Sequence, residues 1–335
     1  AWNRHDAKSS EAGLKYFVLG SLASGLMLFG GSLIYAATGA LDFATLATFA
    51  TQSPTPLLLT GVVLALCGVA FKLSWAPFHF YTPDVYEGAP TPVTAMLAAL
   101  PKLAVGALLV HLVIGPFGGQ IGTVWAPMLA ILAVLSMSLG ATLALVQGNL
   151  KRLLAYSTIA NMGFVAVAIV ALLTQPTAAA IAGVVVYLFI YGLTSIGLFA
   201  AIQGQGLERV DDLKGLAKRN PWGATAIAAL LFSLAGIPPL AGFMGKFMAF
   251  MPAMQVGWGG LVMIAVLMSV VASVYSLWLL KVMIFDEAPK GKRPAQPADK
   301  GLNLLVGLCA LIVLTVGIYP APLANLCLKV AEVLV

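Results

Sequence analysis

The chain has 335 residues, of which 61% are hydrophobic and only 9% are charged, and its formal net charge is +6. Soluble domains carry charge on roughly a quarter of their residues, so this composition excludes an ordinary soluble protein. Basic loops that face the cytoplasm are typical of membrane proteins and account for the positive charge. We therefore expect membrane lipids, and no nucleic acid, among the partners.

Apolar segments recur along the whole chain, which excludes a targeting peptide as their explanation. A helix that crosses a bilayer needs about 20 apolar residues. Nine segments approach that length, and we predict a membrane helix for each: residues 14–38, 57–76, 93–113, 124–147, 153–173, 178–202, 221–250, 260–285 and 302–318. The predicted fold class is therefore all-α, a polytopic transmembrane helical bundle with about nine spans.

The distribution of basic residues supports the same topology. When the spans are threaded alternately, every connecting loop with a basic residue falls on one side of the membrane. The basic residues on that side are Arg4, Lys8, Lys151, Arg152, Arg209, Lys214, Lys218, Arg219, Lys290, Lys292, Arg293 and Lys300. We predict that this side, which also receives the loop of Asp84 and Glu87, is cytoplasmic.

Five lysines lie within or near the apolar segments: Lys15, Lys72, Lys102, Lys246 and Lys281. A lysine in the middle of a span costs about 2.5–3.5 kcal/mol on insertion scales, whereas one near a helix end can extend its ammonium to the headgroups. Headgroup contact explains Lys281, and for Lys15 both interpretations stay open. Lys72, Lys102 and Lys246 lie deeper, and we predict a functional role for these three.

The twelve Asp and Glu residues are all predicted to lie in loops or at helix ends, so none can neutralise the deep lysines. Because desolvation disfavours the charged form, a lysine buried without a counter-ion can exchange a proton near neutral pH. The pattern predicts a proton relay. His79 is a further candidate for proton transfer, although an isolated histidine in an apolar helix is often only a core residue.

Prolines accompany the three deep lysines and predict interrupted helices. Pro77 follows Lys72, Pro101 precedes Lys102, and a Pro-Pro pair at 238–239 precedes Lys246. A broken backbone at membrane depth is tolerated only where protein or water surrounds the freed polar groups. The sequence has no Gly-rich nucleotide loop and no Cys/His cluster, so we expect no redox centre and no cofactor in this chain.

Four motifs identify a family. Residues 71–92 read FKLSWAPFHFYTPDVYEGAPTP, residues 147–164 read QGNLKRLLAYSTIANMGF, and residues 233–247 read SLAGIPPLAGFMGKF. These motifs resemble the antiporter-like subunits of proton-pumping NADH:quinone oxidoreductase, respiratory complex I. Residues 11–25, EAGLKYFVLGSLASG, narrow the resemblance to the N-subunit branch, the bacterial counterpart of mitochondrial subunit 2.

This resemblance implies an antiporter-like fold of two inverted repeats, each with one broken helix, near residues 72–77 and 238–246. Residues 1–202 would hold the rest of the first repeat and the start of the second. Residues 203–335 would hold the remainder of the second repeat and a C-terminal tail.

The resemblance also implies a proton-translocating subunit that couples quinone reduction elsewhere in the complex to pumping. Lys72 matches the lysine of the first half-channel, Lys102 the central connecting lysine, and Lys246 the lysine of the second half-channel. Lys15 also matches a lysine of the family, to which we assign less importance. An alternative is a subunit of a multi-subunit cation/proton antiporter or of a membrane-bound hydrogenase. In a different class is a structural scaffold whose lysines bind lipid headgroups.

The same resemblance implies partners, cofactors and a location. NADH, FMN, iron–sulfur clusters and quinone are expected on partner subunits, and the other membrane subunits of complex I, including neighbouring antiporter-like subunits, are the expected partners. The expected location is the bacterial inner (plasma) membrane rather than the mitochondrial inner membrane.

The chain departs from the family pattern in three ways. The family has about five further spans upstream, the last with a glutamate that pairs with the residue matching Lys72, and we expect those N-terminal helices to be lacking here. Asn161 stands where relatives often have histidine, which puts one relay point in doubt. Pro101 stands where relatives often have serine, and we expect it to sharpen a helix break beside Lys102.

Overall fold

The computed structural model describes residues 5–49, 54–287 and 299–334, and these ranges contain helices and no strand. The helices are α1 (Ala7–Thr38), α2 (Phe43–Phe49), α3 (Pro56–Leu73), α4 (Tyr81–Gly88), α5 (Thr91–Ile114), α6 (Gly119–Ala144), α7 (Leu150–Thr174), α8 (Ala178–Gln205), α9 (Leu216–Arg219), α10 (Pro221–Ala235), α11 (Ala241–Gln255), α12 (Gly259–Phe285), α13 (Lys300–Ile318) and α14 (Ala321–Glu332), with a 3₁₀ turn at Val210–Leu213. The predicted all-α class is confirmed. Arg4, Lys290, Lys292 and Arg293 lie outside the described residues.

Eight of these helices are long and apolar enough to cross a membrane: α1, α3, α5, α6, α7, α8, α12 and α13. The remaining predicted span, residues 221–250, is two 15-residue helices, α10 and α11, separated by a turn. The chain is therefore a multi-pass membrane protein of about the predicted number of spans.

Two helices end abruptly where the sequence predicted a break. Helix α3 ends at Leu73, and Ser74 follows in the left-handed region with φ of 58°. Helix α10 ends at Ala235, and Gly236 follows with φ of 82°. A left-handed residue after the last helical turn lets the next N–H groups bond back to the helix carbonyls, and the prolines that come next cannot continue the helix.

The break predicted beside Lys102 is wrong. Helix α5 runs without interruption from Thr91 to Ile114 and contains Pro101 in its interior. A proline in a membrane helix removes one backbone hydrogen bond, but neighbouring helices can shield the freed carbonyl from lipid. Helix α5 is packed against α8, α7 and α3, so it has that shielding.

Helix α7 forms the centre of the bundle, and nearly all of its side chains are buried. Helix α6 lies closest to it, because Gly140 of α6 leaves no room for a Cβ beside the backbone of Ala160. Helices α8, α11, α12, α4 and α5 also contact α7. Polar residues on α7 are consequently held inside the protein, away from lipid.

One further segment differs from the sequence prediction in secondary structure. Asp84 and Glu87 belong to the short helix α4 rather than to a loop. Since α4 contacts α1, α5 and α7, it holds these two carboxylates against the ends of the neighbouring helices.

Candidate functional site

The Lys102 ammonium lies at the carbonyl end of the first broken helix. Its Nζ is 2.8 Å from the Lys72 carbonyl oxygen and 3.1 Å from the Ser74 hydroxyl, and the residue is only 3% exposed. Tyr81 completes this arrangement, since its hydroxyl lies 3.1 Å from Ser74 Oγ and donates to the Phe71 carbonyl at 2.9 Å. The negative end of the α3 dipole favours a cation here.

The Lys246 ammonium occupies the corresponding position at the second broken helix. Its Nζ donates to the carbonyls of Leu234 and Ala235, at 3.3 and 3.0 Å, and to the Ser269 hydroxyl at 2.8 Å. The Phe164 ring centroid is 5.2 Å away, within the range of a cation–π contact. Lys246 is 6% exposed. Both breaks therefore present helix-terminal carbonyls and one serine hydroxyl to a buried lysine.

Lys72 is less buried than Lys102 and Lys246. It lies in the last turn of α3, is half-buried, and donates to the Tyr16 hydroxyl at 3.1 Å. Its Nζ also lies over the rings of Tyr16 and Phe71, at 5.2 and 5.9 Å from their centroids. No carboxylate in the described ranges forms an ion pair with it. His79 is buried beyond this break and stacks on Phe80.

Lys15 belongs to a different constellation, an ionic network at the end of the bundle. Asp84 bridges Lys15 and Arg152, each at 2.5 Å, and Glu87 bridges Lys8 at 2.8 Å and Arg152 at 3.3 Å. Partial burial opposes ionisation of Asp84, but the two neighbouring cations hold the pKa of its carboxyl below the ordinary value. The network ties α1, α4 and α7 together and places Lys15 outside the two buried lysine sites.

A chain of hydrogen bonds runs along the polar side of α7 near the second break. Asn161 donates to the Ser157 carbonyl at 2.7 Å and accepts from the Tyr187 hydroxyl at 2.6 Å. Ser157 Oγ is 2.8 Å from the Tyr275 hydroxyl, so α7, α8 and α12 are linked. Sequence reasoning missed Ser157, Tyr187 and Tyr275. The available signal was the spacing of Ser157 and Asn161, which are one turn apart on a helix predicted to span the membrane.

A small cavity separates this chain from Lys246. Asn161, Tyr187, Tyr191, Ser233 and Lys246 contribute to its lining, and about 10 Å³ is open to the centre of a water-sized sphere. That is the least space that one water molecule needs, and the polar lining offers it several partners. One water could therefore connect Asn161 and Tyr187 to the Lys246 ammonium.

The part of the chain that the structure describes contains no candidate metal site. No three His, Cys, Asp or Glu side chains come together there. Cys67, Cys309 and Cys327 are separate free thiols.

Comparisons with known proteins give one consistent result. The family model described as NADH:quinone oxidoreductase/Mrp antiporter, transmembrane, matches residues 1–272. A protein of Methylobacterium nodulans named NADH-quinone oxidoreductase subunit N is 44% identical over 329 residues, which cover 96% of this chain and 67% of that protein. The protein of the same name from Paramagnetospirillum magneticum is 44% identical over 345 residues, covering 100% of this chain and 69% of the relative.

Solved structures agree with these relatives. A chain of respiratory complex I from Thermus thermophilus with bound aureothin is 33% identical, with a TM-score of 0.83 over 96% of this chain and 70% of that one. A chain of the Mrp complex from Dietzia is 21% identical, with a TM-score of 0.87 over 98% of this chain and 68% of that one. The Mrp comparison shows the antiporter-like fold alone.

Proposed function

Because this chain belongs to the NADH:quinone oxidoreductase/Mrp antiporter family, in its subunit N branch, we propose that it moves protons across the membrane through Lys72, Lys102 and Lys246. It is a membrane subunit of a translocase, and no redox centre is shown in the described residues. NADH, FMN, iron–sulfur clusters and quinone would be held by partner subunits. Quinone reduction there would drive the charge changes along these lysines, in a complex of the bacterial inner membrane.

One observation carries the proposal: two lysines are almost fully buried, and in the described ranges neither has a carboxylate partner. The Lys102 and Lys246 ammonium groups are held instead by uncharged carbonyl and hydroxyl oxygens. Uncharged acceptors stabilise an ammonium without the full Coulomb energy of an ion pair, so the neutral form stays accessible. A buried group that can occupy both protonation states is what a proton relay requires.

The hydrogen-bonded groups on α7 suggest the last part of a lateral route. Lys72 would load from the cytoplasmic side, and Lys102, bonded to the Lys72 carbonyl, would pass the proton towards α7. Asn161 and Tyr187 would then relay it through a water in the small cavity to Lys246. Asn161 has no titrating group, so the proton would cross this point along hydrogen bonds without resting on a histidine.

The scaffold alternative fits the geometry poorly. A lysine that binds a lipid headgroup must reach the membrane surface, but Lys102 and Lys246 bond to groups inside the protein. The antiporter alternative draws on the family model, which also covers Mrp antiporters, and on the likeness in fold to an Mrp chain that is 21% identical. The relatives named subunit N are 44% identical.

Alanine substitution of Lys246 tests the proposal in the assembled complex. We expect Lys246→Ala to abolish most proton pumping and the coupled NADH:quinone activity, with reduction of an artificial acceptor by NADH nearly intact. Lys281→Ala is the matched control, because Lys281 is 60% exposed and pairs with Asp286 at 2.7 Å. Pumping is measured in proteoliposomes, with assembly checked on native gels. Normal pumping by assembled Lys246→Ala would contradict the proposal.

A further inference from the structure

A groove between α11 and α12 leads from the outer surface of the bundle to Lys246, and we call it the lateral groove. Its volume is about 500 Å³, within the range of roughly 300–1,000 Å³ that is typical of small-molecule sites. Its lining is mostly apolar, and Lys246 is the one charged side chain that the described residues contribute to it. Lys246 thus lines two separate spaces, the lateral groove and the small cavity beside α7.

Two polar groups lie side by side at the inner end of the lateral groove. The Lys246 Nζ donates to the Ser269 hydroxyl at 2.8 Å, and both residues line the groove. A hydroxyl that accepts one hydrogen bond still has its own O–H to donate. The Lys246 ammonium also donates to the Leu234 and Ala235 carbonyls at the end of α10. A molecule in the groove therefore meets one buried cation and one hydroxyl donor.

The outer rim of the lateral groove has the character of a lipid-facing surface. Helix α11 contributes Phe243, Phe247 and Met254, which are 42%, 48% and 55% exposed. Helix α12 contributes Val266 and Val270, which are 47% and 62% exposed. Closely packed helices in membranes favour small residues at their contacts. These large exposed side chains on α11 fit a flexible hydrocarbon chain better than a tightly packed helix.

The depth of the lateral groove limits which charged molecules can reach it. Helices α10 and α11 have 15 residues each and flank the break, so the break lies roughly 20 Å from the far end of each helix at about 1.5 Å per residue. The hydrocarbon core of a bilayer is about 30 Å thick. A phosphate headgroup keeps its charge and is costly to bring to this depth. A carboxylic acid can arrive uncharged, because apolar surroundings favour its protonated form.

We propose that the lateral groove binds a long-chain fatty acid from the membrane, with its carboxyl group at Lys246 and Ser269 and its chain along the apolar rim. The acid would arrive neutral while Lys246 is a neutral amine. Transfer of the carboxyl proton breaks the O–H bond and forms a third N–H bond on Lys246, which leaves an ammonium–carboxylate pair and no change in net charge. Ser269 would donate its O–H to the carboxylate.

The bound fatty acid would inhibit proton transfer. A carboxylate beside the ammonium favours its charged form, so Lys246 would be held protonated and would not release its proton. This inhibition rests on the proposed function above, whereas binding of the fatty acid does not.

Photolabelling tests the binding in the complete complex in proteoliposomes. We expect a fatty acid with a photoreactive diazirine in its chain to label peptides of α11 and α12. Oleate should compete with it, and methyl oleate, which has no acidic proton, should not. Lys246→Met removes the ammonium and should reduce labelling about tenfold or more, as expected for the loss of one strong contact.

Val266→Phe places a larger side chain in the lateral groove and should reduce labelling by a similar factor. If it does not assemble on native gels, Val270→Phe, one turn further along α12, takes its place. Val274→Phe is the matched control, because Val274 is also on α12 and is 50% exposed but does not line the groove.

Inhibition of coupled NADH:quinone activity is the second measurement. We expect oleate to inhibit the unmodified complex and Val274→Phe at the same concentration, and Val266→Phe only at a concentration about tenfold higher or more. Fatty acids also carry protons across bilayers, but that action is the same for all three proteins and would accelerate coupled turnover rather than inhibit it.

Four outcomes would overturn the inference in whole or in part. Equal labelling of all variants would mean contact with the lipid surface only, and equal competition by methyl oleate would exclude recognition by Lys246. An absence of labelling would mean that a neighbouring subunit covers the groove. Labelling as expected without inhibition would overturn the effect on Lys246. If Lys246→Ala pumps normally, the proposed function fails, and the labelling pattern still decides whether the site exists.

Discussion

Replacing Lys102 with methionine and with arginine distinguishes a proton carrier from an electrostatic anchor. Methionine is unbranched and flexible, so it can fill the space of the lysine stem. The substitution removes the hydrogen bonds to the Lys72 carbonyl and the Ser74 hydroxyl, and Ser74 keeps Tyr81 as a partner. Arginine keeps the positive charge but stays protonated at any accessible pH, so it cannot release its proton.

The contacts of Lys102 also allow the favourable and unfavourable contributions of its ammonium to stability to be compared. Each hydrogen bond from a charged donor contributes about 1.5–3 kcal/mol, and Lys102 makes two of them. Against this stands the desolvation of a buried ammonium, which is several kcal/mol. Because the two terms nearly cancel, we expect Lys102→Met to assemble normally. Its loss of activity would then come from the missing proton carrier, which contributes about 10²–10⁴ in rate, or about 3–5 kcal/mol in barrier height.

The assay is proton pumping in proteoliposomes, compared with artificial-acceptor reduction by NADH in the same preparation. We expect both Lys102→Met and Lys102→Arg to pump at least about 100-fold more slowly than the unmodified complex, with artificial-acceptor reduction nearly unchanged. If Lys102→Arg restores full pumping, the lysine acts as an electrostatic anchor and the relay reasoning is refuted.

Two further predictions concern stability. Asp84→Asn should reduce the free energy of unfolding by about 1 kcal/mol at neutral pH, since it breaks two partly exposed ion pairs. The pKa of Asp84 is lowered in the folded protein, so the ion pairs contribute fully at pH values above its unfolded pKa, which is near 4, and their contribution is lost as the pH falls through the folded pKa. A difference in melting temperature between Asp84→Asn and the unmodified protein that disappears between pH 8 and 5 would contradict this. Gly242→Ala should prevent assembly, because a Cβ there would overlap the Ser233 carbonyl oxygen, whereas Gly307→Ala meets no atom within 4 Å and should assemble normally. Native gels of the two variants decide, and normal assembly of Gly242→Ala would show that the turn before α11 can move.

Local sequence patterns sufficed for the spans and for two of the three predicted breaks. Apolar runs of membrane length identify helices because lipid leaves no other way to satisfy the backbone. Pro77 and the pair at 238–239 follow left-handed turns, which end the helices before them. Pro101 has the same chemistry but no such turn, and packing against neighbouring helices keeps α5 continuous. A proline alone therefore does not distinguish a break from an uninterrupted helix.

The partners of the lysines could not be predicted, because they come from distant parts of the chain. Lys102 bonds to a carbonyl 30 residues away, and Ser157 meets Tyr275 across 118 residues. The sequence pattern predicts equivalent positions for Lys72 and Lys246, because each follows an apolar run and lies near a proline. In the structure the ammonium at the first break belongs to Lys102, and Lys72 supplies a carbonyl to it. Which lysine fills a helix end depends on the packing of α5 beside α3.

The number of acceptors around each ammonium makes the two buried lysines unequal as proton stores. An ammonium has three N–H donors, and Lys246 has three acceptors, the Leu234 and Ala235 carbonyls and the Ser269 hydroxyl. A neutral amine keeps two N–H groups for the two carbonyls and gains a lone pair, so the Ser269 hydroxyl must turn its own O–H towards the nitrogen and the hydrogen bond to α12 reverses its direction. Lys102 has two acceptors and can satisfy both in either state. Departure of a proton therefore reorients a hydroxyl at the second break and leaves the direction of both hydrogen bonds unchanged at the first.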